Sequence, residues 1–168
     1  MLGFVPLSET IKRVLQVLTC GATLLLFGGV AHAQPQRVVS VNLCTDQLAL
    51  MMAAPGQVIS VSRLAHDPQS SAMVDAARDI PTNGSGAEEV YLLNPDLVLA
   101  GTFTSSATVN MLRDLGIEVV LFAPARALSD VPERLTQMGE ALGREAQAEA
   151  LIADYETELA TLSDGPEH

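Results

Sequence analysis

Residues 87–100 read AEEVYLLNPDLVLA, and the fold follows from this stretch. Ala87 to Leu93 reads as a helix. Asn94-Pro95 stops it, because the residue before a proline is pushed out of the αR region. Asp96 to Ala100 (DLVLA) is then a buried strand: short, apolar and bounded by breakers. A helix that ends on proline and feeds an apolar strand is one step of an α/β alternation.

The alternation extends both ways. Upstream, Arg37 to Leu43 (RVVSVNL) is a β-branched strand, and Thr45 to Ala54 carries Leu48, Met51 and Met52 at helical spacing. Pro55-Gly56 ends that helix, and Val58 to Val61 is a second short strand. The polar stretch Arg63 to Ser71, a short helix over Ala72 to Arg78 and a loop over Pro81 to Gly86 lead back to the deciding segment. Downstream, Ser105 or Ser106 caps a helix through Leu115, Gly116 ends it, and Glu118 to Phe122 (EVVLF) is the next strand. Four strands, each followed by a helix, predict a mostly parallel four-stranded sheet with helices on both faces, a Rossmann-like three-layer α/β lobe.

After Pro124 the pattern becomes helical. Asp130-x-x-Glu133 has capping-box spacing, and Val131, Leu135, Met138 and Leu142 share one face. Gly143 interrupts. Glu145 to Leu162 is then a long helix of about 27 Å, with Ala148, Leu151, Tyr155, Leu159 and Leu162 on one stripe. The expected organisation is an export segment over 1–33, the α/β lobe over 34–143, and the long helix with its tail over 144–168.

The 168 residues hold 9 Lys+Arg against 20 Asp+Glu, a formal net charge of -11 with 48% hydrophobic residues. That excess of acid excludes nucleic acid as a partner, since a phosphate backbone needs clustered cations and Lys12 is the only lysine. Lys12 and Arg13 precede the apolar run Val14 to Ala31, and Ala31-His32-Ala33 has the small-x-small pattern of a cleavable export signal, so the mature chain is expected to start at Gln34 in the periplasm. An uncut membrane anchor is the competing reading, diluted by Gln16 and the glycines of the run. Thr19 before Cys20, and the apolar run beyond it, argue against lipidation. Cleavage would leave Cys44 as the one thiol, so no internal disulfide is expected.

Catalytic signatures are missing. No P-loop or dinucleotide-type GxGxxG occurs, and Asn83-Gly84-Ser85-Gly86 is one residue short of a nucleophile elbow, so it reads as a turn. His66 beside Asp67 lacks the spacing of a Ser-His-Asp arrangement. Cys44, His66 and Met73 include no short-spaced ligand pair, so neither a metal nor a cofactor is expected. The loops at the carboxyl ends of the strands are where open α/β sheets bind ligands. They are 42–46, 64–67, 101–105 and 123–126, small and polar, suited to holding a solute by hydrogen bonds and shape without bond-making. For Thr45 and Ser105, helix capping is an equal alternative to binding.

From Arg37 to Leu162 the chain resembles the first lobe of the class III periplasmic solute-binding proteins, the Fe/B12-type group that serves ABC importers of ferric siderophores, haem and corrinoids. The run Ala87 to Ala100 is similar to that family's E-x-[IV]-x-x-L-x-P-D-L-V-[IL] pattern, supported by RVVSVN at the first strand and LRDLGIEVV further on. The resemblance implies a non-enzymatic protein whose partners are a metal-chelate solute and the importer's permease. It implies ligand contacts at Asn42, Thr45, Arg63, His66, Asp67, Thr102 and Phe103, and permease docking at Glu88. A capping box from Ser85 to Glu88 is the structural alternative for that carboxylate. It also implies that Glu145 to Leu162 is the rigid helix joining two lobes, the second of which this sequence does not include, so that a truncated form, a separate chain supplying that lobe, or a repurposed domain are all expectations. A stand-alone periplasmic interaction or sensor domain on the same lobe is the alternative function.

Overall fold

Val38 and Val39 point to opposite faces of the sheet, and that single step builds both halves of the core. In the computed structural model, which describes residues 34–163, Val38 joins a cluster with Ala49, Met52, Val61, Leu97, Leu99, Phe122, Leu135, Met138 and Leu142. Val39 joins the other, with Ala87, Val90, Val98, Ala100, Val109, Leu112 and Val119. Alternate strand residues facing alternate layers is the period of two that a pleated strand imposes. Burial on both faces explains why these strands are mostly apolar, with small serines (Ser40, Ser60, Ser62) among their buried positions. The export segment, Cys20 and the tail from 164 onward lie outside the described residues.

The elements run β1 (Val38–Ser40), α1 (Leu43–Met52), β2 (Val58–Ser62), a 3-10 turn (Arg63–His66), α2 (Val74–Ala77) and β3 (Thr82–Asn83). They continue α3 (Ala87–Leu92), β4 (Leu97–Gly101), α4 (Ser106–Asp114), β5 (Glu118–Phe122), a 3-10 turn (Leu128–Asp130), α5 (Val131–Leu142) and α6 (Glu145–Ser163). The sheet is a three-layer α/β arrangement in the order β3-β2-β1-β4-β5. Every pairing is parallel. It has five strands where the sequence pattern gives four: Thr82–Asn83, read as loop, pairs with Val61 and Ser62 as an edge strand. Two residues are too few to show a period, and Pro81 at its start is tolerated at a sheet edge.

Several caps differ from expectation. β1 ends at Ser40 because Asn42 leaves the strand to cap α1, its Oδ1 accepting from Cys44 N at 2.9 Å. Ser105 sits at the start of α4 without a side-chain bond to it. Asp130 and Glu133 form no capping box. The Asp130 carboxylate turns back to accept from Arg126 N (2.8 Å) and Ala127 N (3.2 Å), closing the preceding turn. Those bonds hold the Asp130 carboxyl below its ordinary pKa.

The edge of the sheet opposite the strand exits is tied shut. Buried Gln57 donates to Pro35 O (2.9 Å) and Leu142 O (2.8 Å) and accepts from Ala54 N (2.8 Å). Asp96 accepts from Gln36 N (2.7 Å) and Arg37 N (3.0 Å), and Arg37 donates to Asn94 O and Leu93 O. The NPD turn of the deciding segment is thus an anchor for the incoming chain. Helices α5 and α6 meet at Gly139, where an added Cβ would come within 2.5 Å of the Ala148 Cβ, so the contact requires glycine. Gly143, at φ 63, makes the left-handed turn between them. Along α6 the expected stripe is graded. Ala148 is buried, Leu151 and Tyr155 are half-buried, and Leu162 is exposed.

Candidate functional site

Strand order 3-2-1-4-5 reverses direction between β1 and β4, so the loops leaving these two strands diverge and open a crevice. A cleft of about 340 Å³ lies there, lined by Asn42, Cys44, Gln47 and Leu48 from the β1 side, Gly101, Thr102 and Phe103 from the β4 exit, and Phe122 to Ala125, Val131 and Arg134 beyond β5. A second depression of about 260 Å³ shares Asn42 and Cys44 with it and extends to Ser62, Arg63, Leu64 and Asn83 to Ser85. Both therefore follow the carboxyl edge of the sheet.

Four of the seven ligand contacts named from sequence line this edge: Asn42, Arg63, Thr102 and Phe103. Phe103 is 83% exposed, a large apolar ring at the mouth of the cleft. Thr102 donates its backbone N–H to Phe122 O at 3.0 Å, which leaves its side chain on the surface. The structure does not bring the other three to the lining. Thr45 is fully buried; its hydroxyl lies 2.8 Å from Ser40 Oγ and donates to Asn42 O at 2.8 Å. Nε2 of His66 lies 2.8 Å from Ala77 O and 3.1 Å from Ile80 O. Two carbonyl partners require that nitrogen to carry its hydrogen, so the ring fastens the α2–β3 turn. Asp67 accepts from Gln69 N (3.0 Å) and Ser70 Oγ (2.6 Å), bonds that lower its pKa and commit it to its own turn. Helix and turn chemistry claimed these three side chains.

Beneath the rim lies a polar network that sequence reading passed over. Asn83 is 1% exposed, and its Nδ2 donates to Ser40 O (3.0 Å), Ser60 Oγ (2.9 Å) and Val61 O (3.0 Å) while Oδ1 accepts from Ser85 N (3.0 Å). One amide thereby cross-links the exits of β1, β2 and β3. Asp46, also fully buried, accepts from Ser62 N and Ser62 Oγ. Burial raises its pKa, and the hydrogen bonds from Ser40 and Ser62 only partly offset that.

Glu88 is exposed on the first turn of α3. The Ser85–Glu88 capping box does not form: Ser85, at φ 61, donates Oγ to Val41 O, and Glu89 Oε2 instead accepts from Gly84 N at 2.7 Å. Among the described residues no cluster of His, Cys, Asp or Glu could hold a metal ion. No helix among them is long and apolar enough to cross a membrane.

A family model for periplasmic binding proteins matches residues 38–164. The chain belongs to that family. A cobalamin-binding protein of Halobacterium salinarum is 30% identical over 133 residues, which cover 79% of this chain and 36% of that protein. A vitamin B12-binding protein of Pectobacterium carotovorum is 28% identical, over 85% of this chain and 51% of its own length. The chain thus spans about half or less of the curated relatives it matches. Among solved structures, a periplasmic haem-binding protein of Pseudomonas aeruginosa superposes with a TM-score of 0.65 at 23% identity, covering 77% of this chain and 46% of that one. A periplasmic haem-binding protein of Vibrio cholerae gives 0.66 at 19% identity, covering 79% and 51%. These similarities establish the fold as that of class III periplasmic binding proteins.

Proposed function

We propose that this chain forms a solute-capturing lobe of a periplasmic binding protein that delivers a metal-chelate solute, such as haem or a corrinoid, to an ABC importer. The observation that carries the reading is the cleft at the β1/β4 crevice. It is the ligand position expected of this sheet order, in a family whose matched relatives are named for binding cobalamin or haem. Its lining is mostly apolar, with a freely exposed phenyl ring at Phe103, which suits one face of a flat chelate. Such chemistry is capture and release.

Export by a cleavable signal over 1–33 fits this role, as does α6 serving as a rigid strut to a second lobe. Glu88 is the residue for docking on the permease. Its carboxylate is exposed and, with no capping box formed, is not spent on its own helix. The test of the whole reading is titration of the purified chain with haemin, cobalamin and a ferric siderophore, followed by Phe103→Ala. Saturable binding of a metal chelate, weakened by the variant, is expected. Binding indifferent to Phe103 would move the site elsewhere.

A further inference from the structure

Four side chains along the two clefts, Asn42, Gln47, Arg63 and Arg134, keep N–H donors without a partner among the described residues, whereas Ser62, Asn83 and Ser85 spend theirs within the protein. Asn42 turns Oδ1 to Cys44 N, which leaves its Nδ2, poised over Gly101, without a partner. Gln47 turns Oε1 to Ala72 N at 3.0 Å and leaves its Nε2 free in the same way. Both orientations are fixed, because only the amide oxygen can accept from a backbone N–H. The guanidinium of Arg63 stands over Gly84 and makes no hydrogen bond or ion pair with the described residues.

Arg134 is held in place. Its Nη1 donates to Gln137 Oε1 (3.0 Å) and its Nη2 meets Glu133 Oε1 (2.6 Å), while Gln137 donates to Leu121 O (3.0 Å) and so ties the group to β5. Its Nε is the buried side-chain polar atom that lacks a partner among the described residues. No Asp or Glu lines either cleft, in a chain with 20 acids against 9 bases. Glu89, which accepts from Gly84 N, and Glu133, which is paired with Arg134, both lie outside the lining of the two clefts.

Donors without matching acceptors recognise a group that only accepts, and an ionised carboxylate is such a group. We infer that the rim selects solutes carrying free carboxylates, with Asn42, Gln47 and Arg134 around one cleft and Arg63 beyond it as the donors. This deepens the metal-chelate reading above and rests on it. A solute whose periphery is amide would bring donors of its own to side-chain nitrogens that can only donate.

The experiment titrates the full chain, by absorbance, with ferric protoporphyrin and with its dimethyl ester, which keeps the ring and the metal and removes the acids. The diacid should bind about tenfold tighter, the worth of one charge-assisted hydrogen bond. Arg63→Gln and Arg134→Gln should each reduce that preference, the double variant removing most of it, and leave affinity for the ester within about twofold. Arg63 is exposed and unpaired, so its replacement leaves folding intact even if Arg134→Gln does not. Equal affinity for diacid and ester, or variants that weaken both alike, would overturn carboxylate selection and leave chelate capture standing. A preference for cobalamin, with its amide periphery, over both porphyrins would do the same. Binding of none of the three would overturn the functional reading and this inference together.

Discussion

Replacing Asn83 with alanine should damage this protein more than any exposed substitution on the rim. The side chain is 1% exposed, donates to three acceptors at 2.9–3.0 Å and accepts from Ser85 N. A hydrogen bond contributes about 1 kcal/mol net, and a buried group left unsatisfied costs about 1–3 kcal/mol, so losing this hub should cost about 3–4 kcal/mol. That is a large part of the roughly 5–15 kcal/mol that holds a domain folded. It should lower the melting temperature by roughly 10–15 °C. Urea titration followed by far-ultraviolet circular dichroism measures it directly. Asn83→Asp is the sharper comparison, because it keeps the acceptor for Ser85 N but turns a carboxylate toward the carbonyls of Ser40 and Val61, and it should be at least as damaging. A loss below about 1 kcal/mol for the alanine variant would refute the claim that this amide fastens three strand exits.

Asp46→Asn tests the buried carboxyl. Because the folded-state pKa is raised above 3.8, the folded protein binds that proton more tightly. The group's contribution therefore falls as pH climbs from the unfolded value through the folded one, then levels off. Stability of the variant relative to the parent should rise across that window in denaturant titrations at several pH values, and a flat difference would contradict the assignment. Gly139→Ala should separate α5 from α6 at a cost of about 1–3 kcal/mol, and Ala148→Gly in the same chain should recover part of it. His66→Ala should lower the unfolding midpoint without changing affinity for any chelate, since the ring is bonded to the α2–β3 turn. Glu88→Arg should impair solute uptake in cells while leaving affinity in solution unchanged, and an unchanged uptake rate would reject the docking role.

The β-branched runs at Val38 and Glu118, the Pro95 stop and the Gly143 turn made the α/β order legible, because each is a local signal that tertiary packing has no reason to override. β3 was not legible: a two-residue strand carries no period, and Asn83 looks like any turn asparagine until Ser40, Ser60 and Val61 surround it. Asn42, Thr102 and Phe103 could be placed at the strand exits, and so at the cleft lining, because those exits are short and their ends are sharply marked. Thr45, His66 and Asp67 occupy the same loops, but which way a small polar side chain turns is decided by the nearest backbone donor or carbonyl. Gln47 and Arg134 went unnoticed for the opposite reason. Each sits on a helix where a polar residue reads as solvent-facing, and only the position of β5 brings Arg134 to the cleft.

The central claim is that solute sits at the carboxyl edge of the sheet, across the β1/β4 crevice. Paramagnetic line broadening by ferric protoporphyrin in amide nitrogen–proton spectra of the chain tests it most directly, since broadening depends on distance from the iron. Amides of Asn42, Cys44, Gly101, Thr102, Phe103 and Ala123 should broaden first, and those of Gln57, Gly143 and Arg144 at the opposite edge should stay sharp. Broadening centred on that opposite edge, or along α6, would contradict the account.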